Sequence, residues 1–238
     1  MSLALAVGLS AAAAGVPARA AGDGIAVSAE AAAARELLEG ANGRQEAWKT
    51  VPELVVLGAV MQFAATDASA GYVATDQQLT EAETQALTAD MNQALADLTG
   101  GMMPDFAASR VEHVSAGQTA KVFRRGQIVV GRFRSVQAQT GSLGYGGRTT
   151  RTGVITSAAV FLDSDFDQTS SQRRLLRTHE LGHALGYNHV ESRRSVMNPR
   201  VGSDLTDFDR RVIRLAFPGP VESGPLALSA VTSRSAQN

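Results

Sequence analysis

The chain has 238 residues, 44% of them hydrophobic, with no cysteine and a formal net charge of −1. That length supports one well-cored domain with tails. The absence of cysteine excludes disulfides and thiolate metal ligands, and a near-neutral charge without a Lys/Arg block gives no footing for a nucleic-acid or anionic-membrane partner.

In chain order, Leu3 to Val16 is an apolar stretch followed by Ala18-Arg19-Ala20, an A-x-A cleavage pattern. It is too short to span a membrane comfortably. Residues 1–20 read as a secretory signal peptide, with an alanine-rich disordered lead as the alternative. The expected location is secreted or periplasmic, with no membrane span in the mature chain. Residues 21–48 stay alanine-rich, carry a short helical pattern in EAAAARELLEG, and read as a pro-segment or a variable lead-in. The folded part is expected from Trp48, over residues 49–220.

ELVVLGAVMQFAA (53–65) is a near-continuous apolar run, as in a strand buried on both faces. TEAETQALTADMNQALADLTGG (80–101) predicts a helix. Thr80 and Glu83 form a capping box, Leu87, Met91, Leu95 and Leu98 recur at helical spacing, and Gly100-Gly101 ends it. SRVEHVS (109–115), AKVF (120–123), QIVVGRF (127–133) and GVITSAAVFL (153–162) predict strands, and QTGSLGYGGRT (139–149) is glycine-rich. A helix is expected from Ser171. Another is expected from Thr206, capped with Asp209, facing Phe208, Val212, Ile213 and Leu215 inward and stopped by Pro218. Residues 221–238 read as a flexible tail. The order of elements predicts an α/β arrangement in one domain.

HELGHALGYNH (179–189) holds three of the four histidines. On a helix, His179 and His183 lie one turn apart and point the same way, so both can grip one Zn²⁺. Glu180 is rotated by about 100°, too far to ligate easily but close enough to reach a water on the metal. Gly186 can take positive φ, end the helix and turn the chain back, which brings His189 to the same ion. Three His ligands leave a fourth position for water, the mark of a catalytic site.

The segment resembles the H-E-x-x-H-x-x-G-x-x-H motif of the metzincin metalloproteases. SVMNP (195–199) is similar to the methionine turn of that clan, and with LTDFDRRVIRLAFPG the stretch resembles the matrixin-like branch (matrix-metalloproteinase relatives). Two departures stand out: Val190, where animal matrixins usually carry Ser, and Pro199, where astacins and serralysins carry Tyr. The resemblance implies the α/β (α+β) zincin fold, a mixed, mostly parallel twisted sheet with an active-site helix and a C-terminal helix. It also implies a secreted zinc endopeptidase. His179, His183 and His189 would hold one catalytic zinc, Glu180 would act as general base toward its water, and Met197 would support the site without binding the metal. A protein or peptide substrate would pair antiparallel to an edge strand. The matching region lies in 139–149, where Gly144 and Gly146 around Tyr145 would let a peptide backbone approach; a flexible loop without contact is the alternative. The segment between Met197 and Thr206 would line the pocket for the residue after the cut. Two other functions stay open: a zinc hydrolase acting on cell-wall peptides, and a non-catalytic zinc-holding binding module, against which Glu180 speaks.

DSDFD places Asp163, Asp165 and Asp167 at alternate positions, but Gln168 and Arg174 stand where an EF-hand needs Gly and Glu. A looser Ca²⁺ site stays open, beside acidic residues that favour a helix start and offset Arg173, Arg174 and Arg177. His113 reads as a surface or satisfied core residue, and Tyr145 and Tyr187 as packing residues, with contact to substrate as the alternative.

Overall fold

Gly58 divides the apolar run into two strands, β1 (Glu53–Leu57) and β2 (Ala59–Phe63). In this computed structural model the residues described are 29–40, 43–64, 71–167, 169–200 and 204–217. The readings made for residues 1–20 and 221–238, and the stop at Pro218, fall outside them. At the break the Gly58 N–H donates to the Glu112 carbonyl and its own carbonyl accepts from Leu79 N–H. The run, expected as one strand, therefore serves two different neighbours. β4 (Ser109–Glu112) lies parallel to β1, and β3 (Tyr72–Gln78) lies antiparallel to β2. On the other side β6 (Gln127–Phe133) runs parallel to both. β8 (Val154–Asp163) is parallel to β6, and β7 (Gly144–Arg151) closes this edge antiparallel to β8. A two-residue strand, β5 (Thr119–Ala120), pairs with β3. The sheet is mixed: β4, β1, β6, β2 and β8 are joined by parallel pairs, and β3, β5 and β7 are added antiparallel.

Alternate residues of the central strands go to two cores, which is why their sequences read as almost continuously apolar. Leu54, Val56, Ile128, Val130, Ala158 and Val160 face the helices, and Val55, Leu57, Val129, Ala159 and Phe161 face the other way. Helix α2 (Glu81–Leu98) meets the first set with Leu87, Met91, Leu95 and Leu98, all buried. Each such side chain contributes roughly 1.5–3 kcal/mol of hydrophobic stabilisation. Among the described residues no helix covers the second set. The sheet curls over it instead, and Phe63, Tyr72, Phe133 and Phe161 stack there at 4.2–6.2 Å between ring centroids.

Helix α1 (Ala29–Leu38) places Ala33 and Leu37 in the helix-side core. The alanine-rich segment thus packs on the domain, with no break in the core at Trp48. Helix α3 (Val136–Thr140) is a short turn between β6 and β7. Helices α4 (Ser170–Leu185) and α5 (Asp207–Ala216) follow, each opened by a capping box, Thr169 with Gln172 and Thr206 with Asp209.

Four expectations change. Of AKVF (120–123) only Ala120 is strand, as the end of Thr119–Ala120. β3 was not expected, because its second half, TDQQ, is polar and its burial falls away along the strand. The glycine-rich stretch is largely strand. Leu215 is 74% exposed, since its stripe runs past the core in the last turn of α5 and Ala216 and Phe217 pack there instead. No helix among the described residues is long and apolar enough to cross a membrane.

Candidate metal centre

The capping box at Thr169 starts α4, and buried Leu176, Leu181, Ala184 and Leu185 press it onto the sheet. A buried charge network fixes the start of the helix. Asp167, fully buried, accepts from Arg132 Nε at 3.1 Å and from Arg177 at 2.8 Å, and Arg177 also donates to Asp90 on α2. Offsetting of the arginines thus falls to Asp167 for Arg177, while Arg174 pairs with Asp204.

At the other end Gly186 caps the helix with φ 110°, a region closed to most L side chains, and its N–H donates back to His183 O. A Cβ there would also strike the Glu46 carbonyl. The chain reverses as expected and delivers His189. Its Nε2 lies 3.3 Å from His179 Nε2 and 3.1 Å from His183 Nε2. Among the described residues this trio alone groups three His, Cys, Asp or Glu side chains closely enough to hold a metal ion.

His179 Nδ1 faces Val196 O at 2.8 Å and His183 Nδ1 faces Tyr187 O at 3.0 Å. A carbonyl only accepts, so Nδ1 carries the proton in both rings and each Nε2 presents a lone pair to the centre. Burial pushes His179 down to about 4. It pushes His183 down to about 3, with the neighbouring imidazoles adding to the effect. Burial lowers His189 too. The rings are therefore neutral near pH 7, the form that ligates metals. Two nitrogens about 2.0–2.1 Å from one ion at a tetrahedral angle stand roughly 3.3 Å apart, which matches the spacing of these acceptors. The donor set fits a divalent cation; among the described residues nothing selects one metal over another.

Glu180 is buried beside the trio. Burial pushes its carboxyl up to about 8, and the Gly146 N–H, facing the carboxylate, opposes the rise. A cation on the histidines acts in the same sense as that N–H, favouring the carboxylate.

The trio and Glu180 form the floor of a cleft of about 510 Å³ walled by residues 141–146 on one side and by Pro199 and Arg200 on the other. Gly144 and Gly146 have a role the sequence did not reveal. A Cβ at 144 would stand 2.6 Å from Glu180 Oε1, and one at 146 would strike the Glu180 carbonyl and stand 2.7 Å from His183 Cβ. These glycines let β7 itself lie against α4. Tyr145 points to the opposite face, stacks on Phe161 at 5.3 Å, and is 42% exposed at the cleft wall. Among the described residues β7 pairs only with β8, so its other edge is open toward the cleft.

A scan against protein-family models finds no match. A search of curated proteins finds none either. The chemistry of the centre thus rests on its own residues.

Met197 is fully buried under α4, its sulfur against Gly182, where any Cβ would collide with it. The turn around it hangs on Asp209, a residue the sequence offered only as a helix-capping partner. Asp209 accepts from Ser195 Oγ, from Val196 N–H at 2.9 Å and from Thr206 N–H at 2.8 Å. Since Val196 O holds His179, this carboxylate supports one ring of the trio at one remove. Arg148 was also missed. From β7 it donates to the His183 carbonyl at 2.9 Å, to Asn188 Oδ1 at 3.0 Å and to Glu46 at 2.6 Å, placing its charge at the C-terminus of α4. Tyr187 is a packing residue, its hydroxyl donating to Leu98 O at 2.6 Å.

The acidic triplet does not converge. Asp163 is occupied by the N–H groups of Gln137, Asp165 and Phe166, and Asp167 by arginines, which leaves exposed Asp165 without acidic neighbours in a cluster. Among the described residues no calcium cage forms there. His113 lies exposed beyond the end of β4.

Proposed function

We propose that this chain is a zinc-dependent endopeptidase of the metzincin type, nearest the matrixin-like branch, acting on protein or peptide substrates outside the cytoplasm. The observation that carries this reading is the convergence of three neutral imidazole nitrogens beside a buried carboxylate, at the floor of a cleft under an open strand edge. A catalytic zinc needs three protein ligands with a position left open, and His179, His183 and His189 are those ligands here. When bound, the zinc supplies a Lewis acid for the scissile carbonyl and lowers the pKa of water toward about 7.

Glu180 takes a proton from the attacking water and passes it to the leaving amine, so one side chain is base and then acid. The open edge of β7 receives an extended substrate by antiparallel main-chain pairing, and Gly144 and Gly146 keep that edge close above the floor. Met197, under Gly182, keeps α4 at a fixed height over its support.

The test is a cleavage profile of the purified protein on a peptide library, with and without chelator. Internal peptide-bond cleavage that chelator abolishes and zinc restores is the expected result. Digestion of peptidoglycan but not of casein moves the substrate to cell-wall peptides. Stoichiometric zinc with no hydrolysis of either overturns the proposal in favour of a metal-holding module.

A further inference from the structure

His189 differs from the other two imidazoles in how it is held. His179 and His183 stand on a helix, and each has its Nδ1 locked to a backbone carbonyl. His189 stands on the loop after Gly186, and among the described residues nothing hydrogen-bonds its Nδ1. Its orientation depends on the backbone on either side, and the segment before Trp48 grips both sides. On one side, Asn188 N–H donates to Leu37 O at 2.9 Å and its Nδ2 donates to Glu39 O at 2.9 Å. On the other, the Glu36 carboxylate accepts from Glu191 N–H at 2.7 Å and from Ser192 Oγ at 2.6 Å. Leu37 itself is anchored, 1% exposed in the same core as α4. The grip therefore refers the loop to the core beneath the histidines.

We propose that residues Glu36 to Glu39 form a tether that positions His189 as the third metal ligand, which makes the segment from α1 onward a retained part of the metal centre. This rests on the reading of the three histidines as ligands. Glu36 is a positioning residue in this scheme: it touches neither the metal nor the substrate, and acts through the backbone of Glu191 and the hydroxyl of Ser192. Partners that orient metal ligands from outside the ligand set typically change metal affinity by about 10–100-fold when removed.

The experiment uses the full chain loaded with one equivalent of Zn²⁺ or Co²⁺. Release to excess chelator is timed by stopped flow, and the visible spectrum of the Co²⁺ form reports the ligand geometry. Glu36→Ala is expected to release metal about tenfold faster and to shift the Co²⁺ bands. Glu36→Gln, which keeps an acceptor for Glu191 N–H, falls between it and the wild type. Ser192→Ala, which leaves α1 untouched, moves release in the same direction by a smaller factor. Ala32→Gln, on the exposed side of α1, leaves both readouts at wild-type values. Thermal melting of the metal-free variants reports loss of fold separately, and Ser192→Ala carries the test if Glu36→Ala unfolds. Unchanged release and unchanged Co²⁺ bands in Glu36→Ala and Ser192→Ala, with the wild type binding one metal per chain, overturn the tether alone. A wild type that binds neither ion overturns the ligand reading, and the tether with it.

Discussion

At the residue scale, the centre depends on side chains that are absent as much as on those present. Gly144, Gly146 and Gly182 sit where a Cβ would enter Glu180, His183 or Met197, and their neighbours are backbone or well-packed atoms that cannot step aside. Gly146→Ala is therefore expected to lift β7 from α4 at a cost of about 1–3 kcal/mol, and to weaken metal retention. Thermal melting with metal analysis checks both. Glu180→Gln keeps the shape of the floor and removes the proposed base. It should retain metal at wild-type stoichiometry while peptide hydrolysis falls by about 10²–10⁴-fold. Wild-type turnover in this variant would remove Glu180 from the mechanism.

At the element scale, the turn carrying Met197 is held by the first turn of α5, through Asp209. Asp209→Ala leaves two buried donors, the Ser195 O–H and the Val196 N–H, without their acceptor, each costing about 1–3 kcal/mol. A loss of about 3 kcal/mol in denaturant unfolding is expected, with faster metal release because Val196 O no longer holds His179 firmly. The far side of the sheet carries a different device. Glu112 at the end of β4 takes two hydrogen bonds from Arg124 at 2.5 and 2.6 Å. These bonds, against the opposing pull of burial and with help from Arg110, draw its carboxyl down to about 2 from an ordinary 4.5. Because the folded value lies below the unfolded one, the pair stabilises the fold above about pH 4.5 and loses that contribution as pH falls toward 2. The pair is partly solvated, so about 1 kcal/mol is the fitting magnitude. Glu112→Gln should melt earlier than wild type at pH 7 and match it near pH 2, as scanning calorimetry at the two pH values would show.

At the scale of the whole molecule, the candidate metal centre joins α4, the loop after it, the Met197 turn and the segment around α1, which are far apart in the chain. An ion bound only by the folded arrangement stabilises it by mass action, about 4 kcal/mol when present at a thousand times its dissociation constant. In a domain of this size that corresponds to a fall in Tm of roughly 10 °C on chelation, reversed by adding zinc. A chelated sample that melts at the same temperature would mean that the histidines are not joined through an ion.

What the sequence determined by itself is what local geometry decides. The capping boxes at Thr80 and Thr206 needed only residues three apart. The pairing of His179 with His183 needed one helical turn, and the return of His189 needed one glycine with positive φ. The short apolar runs of β6 and β8 announced strands. Tertiary structure decided what depends on partners distant in the chain. It split the 53–63 run at Gly58, because β3 and β4 compete for the same side of it. It turned a glycine-rich stretch into the edge strand above Glu180, made Asp209 the anchor of the Met197 turn, and docked α1 against the loop of His189. Each of these contacts joins residues well separated in the chain, and the energy of such a contact appears in no local pattern of residue types.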